Sequence, residues 1–280
     1  MKQFYILLFV VLGGMFFFTS CTDNDGNHVN SSVKLLPAKI QVEYELSNKY
    51  IYTYKYDSTN RLVEYVETSL FSNNIGMEDM ETRCKIVYNQ DNTIDSLIIS
   101  PRFLEEHPDI DGYVYAMASD TVLFEYSEQE IIVKYRNKQE EKIRINPKQE
   151  VVAYEYYGGI DGKLKITNTY QYDENGNIVR IVINNGIDSP YIPYTYNYDN
   201  CNGIFRHVNV PQWFMVIMLD QRFNMVNNFK EYSDIDGYKW TMDYSYNKHD
   251  YPEFMNQRGD NDSELKIVEA ITTFDYLPAY

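Results

Sequence analysis

Cysteine and positive charge are both scarce in this sequence of 280 residues. Three cysteines are too few for a fold held together by disulfides instead of a hydrophobic core. The chain carries 25 lysines and arginines against 41 aspartates and glutamates, a formal net charge of −16. Because a surface this acidic repels phosphate backbones, the composition excludes nucleic-acid binding through a basic face.

The sequence also lacks the short motifs of common enzymes and metal sites. Its four histidines are widely separated, and neither His-Glu-x-x-His nor Cys-x-x-Cys occurs. No Gly-x-Ser-x-Gly elbow, P-loop or dinucleotide fingerprint is present. The sequence therefore predicts no cofactor, no metal site and no catalytic residue, and we expect a protein that is not an enzyme.

The first twenty residues have the pattern of an export signal. Lys2 is their only charge, and apolar runs follow at residues 4–12 and 15–18. A helix over residues 4–18 would be about 22 Å long, shorter than the roughly 30 Å hydrocarbon core of a bilayer. A positive start, an apolar middle and small residues at the end are typical of secretory signals. We expect residues 1–20 to be a signal peptide.

The end of this signal resembles a bacterial lipobox, with Phe18, Thr19 and Ser20 directly before Cys21. The resemblance implies that Cys21 is acylated and becomes the first residue of the mature chain. Each buried methylene of an acyl chain contributes about 0.8 kcal/mol, so several chains anchor a protein stably. A plain signal peptide or a transmembrane helix with an incidental cysteine is the alternative.

Residues 22–28 are polar, and we expect residues 21–36 to be a flexible linker attached to the lipid. Asp23 and Asp25 follow closely after Cys21. Acidic residues at this place resemble the signal that sends Bacteroidetes lipoproteins to the outer face of the outer membrane. The resemblance implies a protein that is held at the outer membrane by its lipid and faces outside the cell.

Residues 37–280 alternate between apolar and polar side chains with a period of two. In residues 238–246, for example, Trp240, Met242 and Tyr244 alternate with polar residues. Turn sequences such as Asn175-Gly176 separate these segments at hairpin spacing. The pattern predicts a single all-β domain of about twelve to fifteen strands. We expect a large curved antiparallel sheet, or a partly open barrel, built of successive hairpins.

Residues 211–222 depart from this alternation. Pro211 begins the segment, and seven consecutive apolar residues extend from Trp213 to Leu219. The segment predicts one short buried helix that closes an end of the curved sheet. A buried strand and a membrane- or partner-contacting element remain alternatives.

A short pattern, Tyr-x-Tyr-Asp, precedes polar turns at residues 54–57, 170–173 and 196–199. Together with the lipobox and the segment around Trp213, this pattern resembles a family of Bacteroidetes lipoproteins of unknown function. The resemblance implies a porin-like domain, a curved meander of antiparallel strands. It implies no catalytic residue, because none is assigned to that family. Tyr-Asp repeats of large bacterial surface proteins are locally similar.

Tyrosines on alternate positions form two rows within this domain. They are Tyr50, Tyr52, Tyr54 and Tyr56 in one row, and Tyr194, Tyr196 and Tyr198 in the other. One interpretation is that both rows pack on the inner face of the sheet. The other is an exposed aromatic surface that stacks sugar rings or a partner chain.

Two cysteines remain after Cys21. Cys84 and Cys201 would form a disulfide in an oxidising compartment, or each would be a small buried apolar side chain.

These observations favour a lipid-anchored, non-catalytic binding module, with a glycan as the first candidate ligand. Aromatic rows on an acidic protein suit a neutral sugar better than a polyanion. The alternative is a structural or accessory subunit of an outer-membrane protein complex. In that case, strand addition at an exposed sheet edge would be the mode of recognition.

Overall fold

A computed structural model of the chain describes residues 33–44, 48–71, 79–103, 119–158, 164–184, 192–219, 225–233, 239–260 and 267–280. The expected signal peptide and Cys21 lie outside the described residues, as does most of the expected linker. The first strand begins at Leu35, two residues before the expected start of the domain.

Within the described residues the chain forms sixteen strands. They are β1 (Leu35–Tyr44), β2 (Lys49–Tyr56), β3 (Leu62–Leu70), β4 (Met80–Tyr88), β5 (Ile94–Phe103), β6 (Asp120–Tyr126), β7 (Glu130–Lys134), β8 (Glu140–Ile145), β9 (Val151–Gly158), β10 (Leu164–Tyr172), β11 (Ile178–Asn184), β12 (Ile192–Tyr198), β13 (Phe229–Ser233), β14 (Lys239–Tyr246), β15 (Pro252–Asp260) and β16 (Ile267–Pro278). The prediction of an all-β domain of successive hairpins is confirmed.

The sheet closes into a barrel in which each strand pairs antiparallel with its neighbours in sequence. β1 and β16 complete the circle, with Ile40 opposite Phe274 and Val42 opposite Thr272. The barrel is thus closed rather than partly open. A closed barrel leaves no unpaired strand edge in the described sheet, so the expected recognition by strand addition is wrong.

The two ends of the barrel differ in their connections. At one end, which we call the turn end, short turns such as residues 57–61 and 173–177 join the strands. At the other, which we call the loop end, most connections lie outside the described residues. The turns place a residue with positive φ next to last, as at Asn60 (63°) and Gly176 (95°). This geometry matches a type I turn followed by a left-handed residue.

The residue that opens such a turn often caps it with its side chain. Asp57 Oδ1 accepts hydrogen bonds from the backbone N–H groups of Thr59 and Arg61, at 2.8 and 3.1 Å. Asn146 and Asn247 accept equivalent pairs of bonds in their own turns. A short polar residue is favoured here because it substitutes for a backbone acceptor.

Six tyrosines in the last residues of their strands, at the turn end, tie neighbouring strands together. Each of these hydroxyls donates a hydrogen bond of 2.8–3.0 Å to a backbone carbonyl at the turn end of the preceding strand. The pairs are Tyr56–Pro37, Tyr88–Leu62, Tyr126–Ile94, Tyr172–Val151, Tyr198–Ile178 and Tyr244–Phe229. Much of the tyrosine content of the sequence therefore has a structural role.

The outer and inner faces of the barrel differ sharply in polarity. On the outer face, ion pairs join neighbouring strands, and Glu155 contacts both Arg144 at 2.8 Å and Lys165 at 2.7 Å. On the inner face, side chains such as Ile131 and Ile143 are fully buried. A transmembrane barrel has the opposite arrangement, with an apolar band outside and a polar lumen. The described outer wall thus carries charged pairs together with exposed apolar side chains such as Leu123 and Ile271.

Residues 199–219 and 225–228 enter the barrel at the turn end, and we call them the plug. Trp213 and Phe214 are buried, and both lie edge-on to Phe124 of β6, with centroid distances of 5.1 and 6.1 Å. Phe205 meets Tyr54 of β2 in the same way at 5.6 Å. The plug thus fills the core that the inner faces of the strands leave open.

The predicted helix lies in the plug but is shorter than expected. It is a five-residue π-helix, Phe214–Met218, and part of the expected range 211–222 lies outside the described residues. The N–H of Leu219 bonds the carbonyl of Phe214, five residues back. No helix in the described part of the chain is long and apolar enough to cross a membrane.

Buried polar groups fasten the plug to the turn end. The Asp199 carboxylate accepts hydrogen bonds from the N–H of Cys201, the N–H and side chain of Asn228, and the hydroxyl of Tyr246. Burial raises the pKa of Asp199, and these hydrogen bonds oppose the rise. A side-chain amide pair, Asn177 and Asn227, adds a second link of 3.0 Å.

Candidate functional site

The inner wall is sealed near the turn end and partly open to water near the loop end. Ile94, Ile131 and Ile178, close to the turn end, are at most 1% exposed. Tyr50 and Tyr194, near the loop end of their strands, are only half-buried. The plug closes the turn end, whereas the inner wall toward the loop end keeps part of its aromatic surface exposed.

We call the inward-facing side chains toward the loop end the loop-end wall. Its aromatic members are Tyr50, Tyr52, Tyr154, Tyr156, Tyr194, Tyr232 and Trp240, and its polar members are Glu67, Asp120, Glu141 and Asn168. Their inward direction follows from the register, which places each opposite another inward-facing residue.

The structure places both predicted tyrosine rows on the inner face. Tyr54 and Tyr196 are 5% and 7% exposed and belong to the core. Tyr56 and Tyr198 face inward at the turn end and donate to backbone carbonyls. The remaining three, Tyr50, Tyr52 and Tyr194, lie in the loop-end wall, half-buried.

One aromatic cluster of the wall spans β12, β13 and β14. The ring of Tyr232 is stacked with that of Trp240, with centroids 6.1 Å apart and an interplanar angle of 18°. The ring centroids of Tyr194 and Tyr232 are 6.4 Å apart. All three side chains are half-buried, so aromatic surface remains beyond what packing covers.

A second cluster combines aromatic rings with a buried carboxylate. The rings of Tyr154 and Tyr156 are stacked, with centroids 5.0 Å apart and an interplanar angle of 20°. Glu141 Oε2 accepts hydrogen bonds from the hydroxyls of Tyr135 (2.8 Å) and Tyr154 (2.6 Å). Burial is the main reason that the pKa of Tyr154 is well above its ordinary value, and the hydrogen bond to Glu141 and the negative charge of Glu141 raise it further. This hydroxyl therefore remains a donor.

The polar residues Glu67, Asp120, Glu141 and Asn168 were not predicted as site residues. A signal for three of them is present in the alternation, because each is polar at a position where its neighbours two residues away face inward. Glu141 is in phase with Ile143, Asn168 with Tyr170, and Glu67 with Tyr65. Burial raises the pKa of Glu67, partly offset by a hydrogen bond from Ser69.

The other features of the described residues that bear on chemistry are their potential metal ligands, a buried thiol and a cleft on the outside. No group of three or more potential metal ligands is found among them. Cys84 is a free thiol, 1% exposed, so the disulfide with Cys201 is not formed. On the outside, a cleft of about 650 Å³ is lined by Leu123 of β6 and by Lys134, Arg136 and Lys138 near the loop end.

The fold is similar to that of known porin-like proteins. A porin-like protein from Bacteroides uniformis aligns with 86% of this chain and 96% of its own, with a TM-score of 0.53 and 12% identity. A porin-like protein from Bacteroides vulgatus aligns with 88% of this chain and 100% of its own, with a TM-score of 0.39 and 13% identity. No family model and no curated protein matches the sequence. At this identity the likeness shows the fold alone.

Proposed function

We propose that this protein is a non-catalytic binding module that holds a glycan on the loop-end wall. The observation that carries the proposal is the half-buried aromatic surface of Tyr194, Tyr232 and Trp240, which lies on the inner face and stays partly exposed to solvent. Aromatic rings pack on the apolar faces of ligand rings, and a few polar groups then fix orientation.

The polarity of the outer wall supports a lipid anchor as the means of attachment. Ion pairs join neighbouring strands on the outer face, among exposed apolar side chains such as Leu123 and Ile271, and charged pairs are unfavourable against lipid. The protein would then be attached to the outer membrane by a chain segment that is not part of the barrel, and acylated Cys21 would be the anchor. The glycan would be held above the membrane by a barrel surrounded by water.

A thermal-melt screen tests the binding proposal. The chain without its first 21 residues retains all sixteen strands and would be melted against neutral, amino and acidic oligosaccharides. A ligand at 100 times its dissociation constant stabilises by about 2.7 kcal/mol. At this size that corresponds to a shift of roughly 5–10 °C.

Matched variants locate the site. Trp240→Ala and Tyr194→Ala should abolish the shift, whereas Tyr157→Ala should leave it intact, because Tyr157 is 48% exposed on the outer face. A flat panel, or a shift equally reduced by Tyr157→Ala, would refute binding on the loop-end wall.

The alternative function is that of an accessory subunit of an outer-membrane protein complex. Its specific support is the outer cleft, where Arg136 and Lys138 form a basic spot on an acidic protein. Charge complementarity would draw an acidic partner surface to it. Loss of a crosslinked partner in the double variant Arg136→Ser, Lys138→Ser, together with a flat ligand panel, would favour this alternative.

A further inference from the structure

The carboxylate of Glu141 is buried without a positive counter-charge. The residue is 7% exposed, and both of its tyrosine hydrogen bonds go to one oxygen, Oε2. No lysine or arginine among the described residues is within ion-pair distance of it, although the outer face is laced with such pairs. Buried carboxylates are costly and are normally paired with a cation.

A second acceptor that lacks a donor lies on β10, across β9 from Glu141. Asn168 is 8% exposed, and its Oδ1 has no hydrogen-bond partner. It is directly opposite Tyr154 in the ladder of β9 and β10, on the same inner face. Buried polar atoms without partners are rare in folded proteins, and an orphaned acceptor calls for a donor from a ligand or water.

The residues around Glu141 favour the binding of a cation there. A cationic group gains energy over an aromatic face, and the stacked rings of Tyr154 and Tyr156 lie next to Glu141. Asp120 and Glu67 add further carboxyl groups to the inner wall. A net charge of −16 raises the local concentration of cations around the whole protein.

We propose that the ligand is an amino sugar whose protonated amine is bound by Glu141, with its ring against Tyr154 and Tyr156 and with Asn168 accepting a hydrogen bond from another group of the sugar. The ammonium group brings three donors to the charged acceptor Glu141, and a sugar hydroxyl is a donor for the neutral acceptor Asn168. This inference rests on the proposed function and narrows its ligand class from a glycan to a sugar with a free amine.

The test compares three trisaccharides on the unaltered chain from residue 22 onward. The probes are glucosamine trimer, its fully N-acetylated form, and the neutral glucose trimer, with putrescine as an amine without a sugar ring. Calorimetric titration is done at a pH that protonates the probe amines. We expect the glucosamine trimer to bind at least tenfold more tightly than each of the other three.

Two matched variants then assign the amine to its acceptor. Glu141→Gln keeps the size and one acceptor oxygen but removes the charge, and should weaken glucosamine-trimer binding at least tenfold without changing binding of the glucose trimer. Glu155→Gln makes the same change on the outer face of neighbouring β9, where Glu155 pairs with Arg144 and Lys165, and should change neither.

The outcomes separate this inference from the function on which it rests. If the acetylated or neutral trimer binds as tightly as the free amine, the amine assignment is wrong while glycan binding stands. If putrescine binds as tightly as the glucosamine trimer, the sugar ring is not recognised. If no sugar binds at all, the proposed function itself fails. The comparison of probes needs no variant, so it decides the matter even if Glu141→Gln does not fold.

Discussion

At the scale of single residues, the turn end is held by tyrosine hydroxyls and turn-capping side chains. Tyr88 shows both roles of the aromatic residue, because its hydroxyl donates to the carbonyl of Leu62 at 2.8 Å and its ring receives the guanidinium of Arg61 at 4.7 Å. Arg61 in turn bonds Asp57, which caps the same turn. Each contact is modest, and the stability of this end comes from their repetition around the barrel.

Replacing Tyr88 with Phe removes the hydroxyl and keeps the ring. We expect Tyr88→Phe to lower the free energy of unfolding by about 1 kcal/mol, the usual net value of one hydrogen bond. The measurement is the midpoint of urea denaturation at unchanged m value. Tyr157→Phe is the control, since Tyr157 is 48% exposed, and it should shift the midpoint little. An equal loss in both variants would show that the hydrogen bond contributes nothing specific.

Asp57 gives the turn end a dependence on pH. Burial alone would raise its pKa, but hydrogen bonds from Thr59 and Arg61 prevail and lower the pKa from 3.8 to about 2. Because the folded pKa is lowered, the stabilisation is complete above pH 3.8 and is lost as the pH falls towards 2. The carboxylate is partly exposed to solvent, so we discount its contribution to about 1 kcal/mol.

The variant Asp57→Asn tests the direction of this pH dependence. Asparagine caps equivalent turns at Asn146 and Asn247, so the turn geometry is retained. At pH 7 the variant should be less stable than the unaltered protein by about 1 kcal/mol, and the difference should shrink as the pH is lowered from 4 towards 2. Denaturation at several pH values measures it. A difference that stays constant or widens on acidification would contradict the assignment.

At the scale of elements, the hairpin turns depend on a left-handed residue whose chemistry varies. Gly176 adopts φ of 95° with no atom closer than 3.8 Å to the place a Cβ would occupy. Lys138 adopts φ of 67° in the turn between β7 and β8, where a side chain is strained. We therefore expect the loss of glycine to destabilise the first turn and the introduction of glycine to stabilise the second.

Reciprocal substitutions test this. Gly176→Ala should destabilise by about 1 kcal/mol because of backbone strain, since nothing blocks the added methyl. Lys138→Gly should stabilise by about 0.5 kcal/mol, the relief of strain less the greater flexibility of glycine in the unfolded chain. Thermal and urea denaturation measure both. Effects of the same sign in the two variants would contradict the role given to φ.

The elements also show how much the sequence alone predicts. Alternation and turn residues are local signals, so the strands, the all-β class and the short helix around Phe214 could be predicted. Closure could not, because the pairing of Ile40 with Phe274 joins residues far apart in the chain. The length of the helix was also missed, since seven apolar residues from Trp213 to Leu219 do not show where helical geometry ends.

The candidate site was harder to predict than the fold. The tyrosine rows were recognised, but alternation does not show how deep in a barrel each member lies. Tyr54 is core and Tyr194 belongs to the loop-end wall, although both follow the same pattern. The depth is set by the plug, which seals the turn end only. The polar members, above all Glu141, interrupt the apolar phase of their strands, but such an interruption does not show that the side chain is buried in a functional site.

At the scale of the whole molecule, the barrel combines a porin-like fold with an outer wall that carries many ion pairs. The plug fills the turn end, and the partly exposed aromatic surface of the inner wall lies toward the loop end. The central claim is therefore that a ligand contacts the loop-end wall. The two tryptophans of the chain are well placed to test it, because Trp213 is sealed in the plug and Trp240 lies in that wall.

The most direct measurement is intrinsic tryptophan fluorescence during titration with the oligosaccharide panel, on the chain from residue 22 onward. The account predicts a saturable change in emission with one glycan class, and no change in the Trp240→Phe variant, whose remaining Trp213 is buried away from the wall. An emission that stays flat with every glycan, or a change that persists in Trp240→Phe, would contradict binding at the loop-end wall.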